Sequence, residues 1–371
     1  MPGSLQDTIA RSMRASSSGE EFWSGVSGYL RRSVPFDGAC WFGIDPSTLL
    51  ANYPIRVENI DQGHCRSYWE RECKVDDALL FRDLAKSPIP AGTLHAATGN
   101  RPDQSPRYRE YLAPQNFDDE LRAVLRIGGR TWGAVDLYRQ QGRDPFSERD
   151  VALVARAGTA IAGALRSLTV QGRFGAVTNA PKGTGTALFD RSGQLISFDD
   201  QAERWFTEIG GLRWVERPPS MTAVWAVVFR AANADVGRDW DPSVARLRMK
   251  DRSWITLTAS VLRRPGSTAE AGPVALTVSR AVGWDIAPLL IEAYGLTPRE
   301  QEVCEAAVRG LPNQKIAAGL HLSAHTVRDH LKAIFAKAGV TSRGELAALL
   351  FSDFYEPRIM APEADVTHAY F

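Results

Sequence analysis

Leu296-Thr297-Pro298-Arg299-Glu300 opens the stretch that decides the fold of the carboxy-terminal end. It continues through Gly310-Leu311-Pro312-Asn313-Gln314-Lys315-Ile316-Ala317 to Ser323-Ala324-His325-Thr326-Val327-Arg328-Asp329-His330-Leu331-Lys332. Its caps divide it into four helices. Thr297 is a natural N-cap, with Pro298 at the first helical position and Glu300 placed to close a capping box. Gly310 ends that helix, because glycine takes a left-handed turn without steric cost. Pro312 opens the second helix and Gly319-Leu320 closes it. Ser323 caps a third helix that runs to Ala338, and Ser342 with Glu345 forms a second capping box for a final helix through Leu350.

On a helical wheel the third helix has two faces. Val327, Leu331, Ile334, Phe335 and Ala338 form a stripe for a core, while His325, Arg328, Asp329, Lys332 and Ala336 occupy the opposite arc. Cations one turn apart beside small residues can enter a major groove, where Arg and Lys meet guanine edges or phosphates. A merely solvated face would look the same on the wheel, so the wheel alone leaves both readings open. The three-residue turn between the second and third helices favours the first, since it gives a helix-turn-helix with cations on its second helix.

The same residues carry a family resemblance. Leu296-Thr297-x-Arg299-Glu300, Val303, Gly310-x-x-Asn313, Ile316-Ala317, Leu320, Ser323, Thr326-Val327-x-x-His330, Ile334, Lys337, Gly339-Val340 and Arg343-x-Glu345-Leu346 resemble the LuxR-type (NarL-type) DNA-binding domain over its whole length. The resemblance implies a dimeric transcription factor whose third helix reads double-stranded DNA and whose fourth packs against its twin. It puts Arg328, Asp329 and Lys332 in the groove, and Asn313, Lys315, Thr326 and Arg343 at phosphates. Asp329 departs from the apolar or basic residue usual at its place; an acid there could accept from cytosine or exclude a wrong site. Ala338 replaces a larger apolar residue.

With 371 residues, two or three domains are expected, and a hydrophobic fraction of 44% is ample for folded cores. Net charge is +1; residues 296–351 hold seven Lys/Arg against five Asp/Glu, which leaves +2. So weak a charge implies modest DNA affinity per monomer, which a homodimer would remedy. The final helix, with Leu346, Ala347, Leu349, Leu350 and Phe351, and the segment with Val151, Val154, Ala155, Ile161 and Leu165 offer apolar seams for pairing. Residues 1–19 lack the apolar core of a signal peptide, and no stretch approaches 18 apolar residues, so a cytoplasmic protein without a membrane partner is expected. Cys40, Cys65, Cys73 and Cys304 form no Cys-x-x-Cys pair. His64-Cys65 with Cys73 fits no structural zinc spacing, so no metal site is expected.

Upstream, Phe22, Trp23, Val26, Tyr29 and Leu30 make a helical stripe, and Cys40-Trp41-Phe42-Gly43-Ile44 reads as a buried strand. Glu120–Ile127 and Thr131–Arg139 alternate in polarity across Gly128-Gly129, a hairpin signal, and Ser147 with Asp150 caps a long helix to Leu168. These describe an α+β sheet domain with one covered face. Gly128-Gly129-Arg130-Thr131-Trp132-Gly133-Ala134-Val135-Asp136-Leu137-Tyr138-Arg139 with Phe146-Ser147-x-x-Asp150 is similar to the end of a GAF domain, which implies a small-molecule sensor or dimerising module. Ala187-Leu188-Phe189, the turn Asp190-Arg191-Ser192-Gly193, Gln194–Phe198, a helix capped by Asp200 with Glu203, and strands at Val244–Lys250, Trp254–Leu262 and Pro273–Arg280 resemble a PAS domain in order.

The expected organisation is a tail (1–19), a GAF-like sensory domain (20–168), a Gly- and Lys-containing linker (169–185), a PAS-like domain (186–285), the LuxR-type all-α domain (286–352) and a tail (353–371). Trp41, Trp69 and Trp132 are candidate walls of a pocket for an unidentified small-molecule effector, although tryptophans serve as core more often than not. No cofactor is specified. No phosphate loop, Gly-x-Ser-x-Gly elbow or His-Glu-x-x-His helix occurs, so no catalytic residue is assigned and no enzyme is expected. The alternative is a signalling enzyme or response-regulator-like protein whose sensory domains only dimerise. A receiver domain's acidic pair, phosphoacceptor and distal lysine are not laid out in the first 120 residues.

Overall fold

In the computed structural model the described residues are 19–61, 65–171, 183–211, 221–234, 242–249, 253–263, 271–281 and 283–351, with isolated positions including Ile9 and Trp214. His64, Lys250, most of the linker and both tails lie outside them. Two compact units emerge, Met1–Arg280 and Ala281–Phe371.

The first unit starts with helix α1 (Gly19–Ser33) and strands β1 (Gly38–Ile44) and β2 (Ala51–Glu58), followed by α2 (Cys65–Lys74). Then come β3 (Ala91–Thr93), β4 (Phe117–Ile127), β5 (Arg130–Gln140) and the long α3 (Glu148–Gln171). Its antiparallel sheet has the order β2-β1-β5-β4-β3. Gly128 and Gly129 both take positive φ at the β4–β5 hairpin, which is what that turn requires. Ser147 and Asp150 exchange backbone and side-chain hydrogen bonds at the start of α3, the expected capping box.

Both faces of this sheet are covered, against the expectation of one. On the first face Trp41 stacks on Trp23 of α1 with ring centres 5.3 Å apart, and Val154, Ile161 and Leu165 of α3 are buried. Helix α3 is long and apolar enough to cross a membrane by composition, contrary to the sequence reading; here it packs on β4 and β5. On the second face lie Phe42, Ala134 and Tyr138, met by Tyr68 and Trp69 of α2. The polar positions of the hairpin also face inward there. Glu120, Arg122 and Asp136 are wholly buried, and Arg122 and Asp136 are register partners across β4 and β5.

Arg122 is enclosed by acceptors. Its Nε donates to Asp136 at 2.8 Å, and its other nitrogens reach the Tyr68 hydroxyl (3.0 Å), the Leu79 carbonyl (3.1 Å) and Glu72 (2.9 Å). Arg107 sits at 2.7 Å from Glu120, whose carboxyl is raised above the ordinary range because burial outweighs its cationic neighbours.

A second sheet follows from β6 (Gly185–Phe189) and β7 (Leu195–Phe198), then α4 (Asp200–Gly210) and α5 (Thr222–Ala234), then β8 (Val244–Arg248), β9 (Trp254–Arg263) and β10 (Ala271–Arg280). Its order is β7-β6-β10-β9-β8, the same arrangement as the first sheet, again antiparallel. The cap of α4 is Asp199, one residue before the expected Asp200; its carboxylate accepts from Ala202 N at 2.7 Å. Helix α5 was not foreseen. Val224, Val227, Val228, Phe229 and Ala231 bury different sides of it, so it has no amphipathic period to read. It lies between β9 and α2, and through it the two sheets share one hydrophobic core. Arg246 of β8 pairs with buried Asp45 at 2.8 Å, and Tyr53 donates to the Ile209 carbonyl at 3.1 Å.

The second unit contains α6 (Gly283–Ala293), α7 (Pro298–Val308), α8 (Asn313–Gly319), α9 (Ala324–Ala338) and α10 (Arg343–Phe351). The last four are those read from the caps. Helix α6 is additional; Pro288 inside it argues against a helix in sequence. It packs on α10, where Leu346 and Leu350 are buried and Ala347 and Leu349 are half-buried.

Replacing Arg122 by Leu would leave Asp136 without its main counter-ion in a buried site. The Met1–Arg280 unit is expected to lose about 3–5 kcal/mol of stability, measured by urea unfolding of the full chain.

Candidate nucleic-acid interface

Local chemistry places helix α9. Thr297 accepts from Glu300 N, and the Glu300 carboxylate accepts from Thr297 N at 2.7 Å, so the capping box of α7 is complete. Glu300 also binds Lys337 near the far end of α9, and Lys337 reaches the Gly295 carbonyl at 3.3 Å. Though partial burial opposes it, hydrogen bonds from Lys337 and Thr297 hold the Glu300 carboxyl below the usual range. Both ends of the motif are thereby tied. At the near end, His321 takes a left-handed φ of 54° and Leu322 N bonds the Ala317 carbonyl at 2.8 Å, which turns the chain from α8 into α9. Ser323 caps α9 by accepting from Thr326 N at 3.0 Å.

Val327, Leu331 and Ile334 are buried against α7 and α8. With that stripe fixed inward, His325, Arg328, Asp329, Lys332 and Ala336 are all exposed on the other side. Arg328 and Lys332 stand one turn apart, and both are exposed. Asp329 is held by His325, Nδ1 to Oδ2 at 2.9 Å, so the acid at the unusual position has a partner one turn before it. The sequence reading missed this pair, although the i,i+4 spacing was the available signal.

Among the residues expected at phosphates, the structure brings Asn313 and Arg343 together. The Arg343 guanidinium bonds the Asn313 side-chain oxygen and the Leu311 carbonyl, the latter at 2.6 Å. Lys315 is exposed on α8, while the Thr326 hydroxyl lies 2.9 Å from that of Ser323. The expected box at α10 differs in detail: Ser342 accepts from Glu345 N, but the Glu345 carboxylate turns to Thr341 N at 2.7 Å.

This geometry has counterparts. The family model of bacterial regulatory proteins of the luxR family matches residues 295–350. Those residues are a LuxR-family DNA-binding domain. A protein of Aeromonas salmonicida named as an HTH-type transcriptional regulator in the exeN 3′ region is 38% identical over 71 residues, 19% of this chain and 34% of the relative. The chain thus spans about a third of the length of that curated relative. Among solved structures, the phage VqmA–DPO complex aligns over 48% of this chain and 86% of that one, at 20% identity and a TM-score of 0.24, a value on which no argument is built. The LuxR-family domain lies within the second compact unit.

The three candidate pocket tryptophans do not meet. Trp41 lies on the α3 side of the first sheet, its Nε1 donating to Glu58 at 3.1 Å; Trp69 lies on the opposite side, edge-on to Phe42 at 5.3 Å. Trp69 borders a cavity of about 20 Å³ beside Cys73 and Arg230, and Trp132 one of about 30 Å³ beside Tyr53 and Arg246. Each has room for only a water or two. Among the described residues no group of three His, Cys, Asp or Glu side chains could hold a metal ion. The four cysteines are free, and burial pushes the Cys65, Cys73 and Cys304 thiols up to about 12.

The lowered Glu300 carboxyl carries a pH signature. A depressed folded value stabilises above the unfolded carboxylate range near pH ~4.5 and is lost as pH falls through the folded one. The LuxR-family unit should therefore weaken in acid. Lys337→Met should reduce that dependence, read as thermal unfolding at pH 7 and at progressively lower pH.

Proposed function

We propose that this chain is a cytoplasmic, homodimeric transcriptional regulator in which α9 enters the major groove of double-stranded DNA and the Met1–Arg280 unit supplies a ligand-controlled input. The observation that carries the reading is the exposed arc of α9, where Arg328 and Lys332 stand free one turn apart while the opposite stripe is locked into the core. Arg328 has the planar fork that suits a guanine edge, and Lys332 suits an edge or a phosphate. Asn313, Lys315, Thr326 and Arg343 contact phosphates, and Asp329, oriented by His325, accepts from a cytosine or repels a wrong base.

Dimerisation follows from the weak charge. A domain with a surplus of only +2 neutralises few phosphates, so two half-sites are needed for tight binding. The GAF-like and PAS-like reading of the first unit is supported by its two antiparallel five-stranded sheets of identical order, each with helices over a face. Such a repeated platform suits small-molecule sensing.

Arg328→Ala should weaken a specific operator by about ten- to a hundredfold and relax its base preference, the cost of one bidentate contact. Lys315→Ala should weaken all sequences alike and lower the salt slope by about one per half-site. Binding titrations on specific and scrambled duplexes across salt concentrations distinguish the two. Equal losses on both duplexes for Arg328→Ala would remove Arg328 from base reading.

A further inference from the structure

One cavity bordered by described residues lies away from the tryptophans the sequence singled out. It measures about 230 Å³ and lies where α2 meets the β6–β7 hairpin and the start of α5. Phe189, Trp214, Met221 and Trp225 supply its walls, while Arg66 and Gln194 stand at its edge. Phe189 and Met221 are buried, Trp225 is half-buried, and Arg66 and Gln194 are exposed. Trp214 is itself anchored, its ring 5.0 Å from Phe206 and 5.9 Å from Phe198.

The chemistry of the walls is one-sided. Three aromatic faces and a thioether offer stacking and dispersion but few hydrogen bonds, so water inside is poorly held and readily displaced by a flat apolar group. Arg66 makes no close ion pair or hydrogen bond with the described residues, although its charge acts on Asp190 at longer range. Asp190 Oδ1 is engaged by its own turn, accepting from Ser192 N at 2.9 Å, Ser192 Oγ at 2.7 Å and Gln194 N at 2.8 Å. An exposed guanidinium at the edge of an aromatic cavity selects a ligand with an anionic end outside its ring system.

We propose that this cavity binds a flat aromatic molecule of one or two rings bearing a single carboxylate or similar anion, with the rings between Trp214 and Trp225 and the anion on Arg66. The site joins the two sheets, because Arg66 belongs to α2 and the walls belong to the second sheet and α5. An occupant would therefore bear on how they pack. This assigns the input side of the function proposed above, but binding at the cavity stands independently of it.

Calorimetric titration of the full chain with indole-3-acetate and with its neutral counterpart indole-3-ethanol tests the site. The acetate should bind saturably, one per chain. Arg66→Ala, at an exposed position, should weaken the acetate by about tenfold, the scale of one charge-assisted hydrogen bond, and leave the alcohol nearly unchanged. Leu195→Trp, which fills the cavity from its half-buried wall, should abolish both, with an unchanged thermal unfolding midpoint showing that the chain still folds. Absence of saturable binding by the acetate overturns the proposal, as does an Arg66→Ala variant that loses both probes equally. If Leu195→Trp does not fold, the Arg66→Ala comparison decides alone. Binding that leaves DNA titrations unaltered keeps the site and removes its role as the regulator's input.

Discussion

A guanidinium with no contact with water, that of Arg122, organises the first unit. Removing such an ion from solvent costs several kcal/mol, and the cost is recovered only where acceptors converge on it in fixed geometry. Here the acceptors come from separate pieces of chain: Asp136 from the neighbouring strand, Tyr68 and Glu72 from α2, and the Leu79 carbonyl from the loop after it. Helix α2 cannot slide along the sheet without breaking the set. Its other side carries Lys74, whose ammonium lies 4.9 Å from the Phe229 ring of α5. One buried charge thus fixes the helix through which the two sheets pack into a single core.

The same pair explains where sequence reading failed. Alternation of charged and apolar residues on Glu120–Ile127 and Thr131–Arg139 locates the strands and their hairpin correctly, because the pleat has a period of two wherever the strand lies. It assigns the charged side to solvent, because isolated charges are rarely buried. Only knowledge that Arg122 and Asp136 would stand opposite each other, a matter of register, could have reversed that. Helix α5 failed for the opposite reason: a segment buried on all sides has no face to contrast with another. The separation of the tryptophans was not legible because type and clustering say nothing about which side of a sheet a residue occupies. Trp41 and Trp69 are both buried, on opposite sides.

The DNA-binding unit was legible because its information is local. Caps lie within four residues of the groups they satisfy, and the core stripe of α9 repeats every three to four residues. The exceptions involve longer range. Helix α6 has a proline in its body and is held by packing on α10, and Glu300 exceeds its capping role by binding Lys337 from another helix. Glu300 joins the start of α7 to the end of α9, so the angle at which α9 is presented depends on a residue that touches no groove.

Charge on the presented arc is more balanced than a count of cations suggests. Of the ionisable groups on that arc, Arg328 and Lys332 are opposed by Asp329, which His325 holds at 2.9 Å. A largely exposed pair of this kind contributes little to stability, so its effect lies in what DNA meets. The carboxylate lowers the non-specific attraction that two cations would otherwise exert on any phosphate, since that attraction scales with the charge neutralised. Base reading by Arg328 depends on geometry rather than on net charge and is less affected. Under the proposed function, an acid held between these two cations lowers affinity for all sequences more than affinity for the right one. In a domain with so small a positive surplus, discrimination on this proposal rises at the expense of strength, which the proposed homodimer would restore.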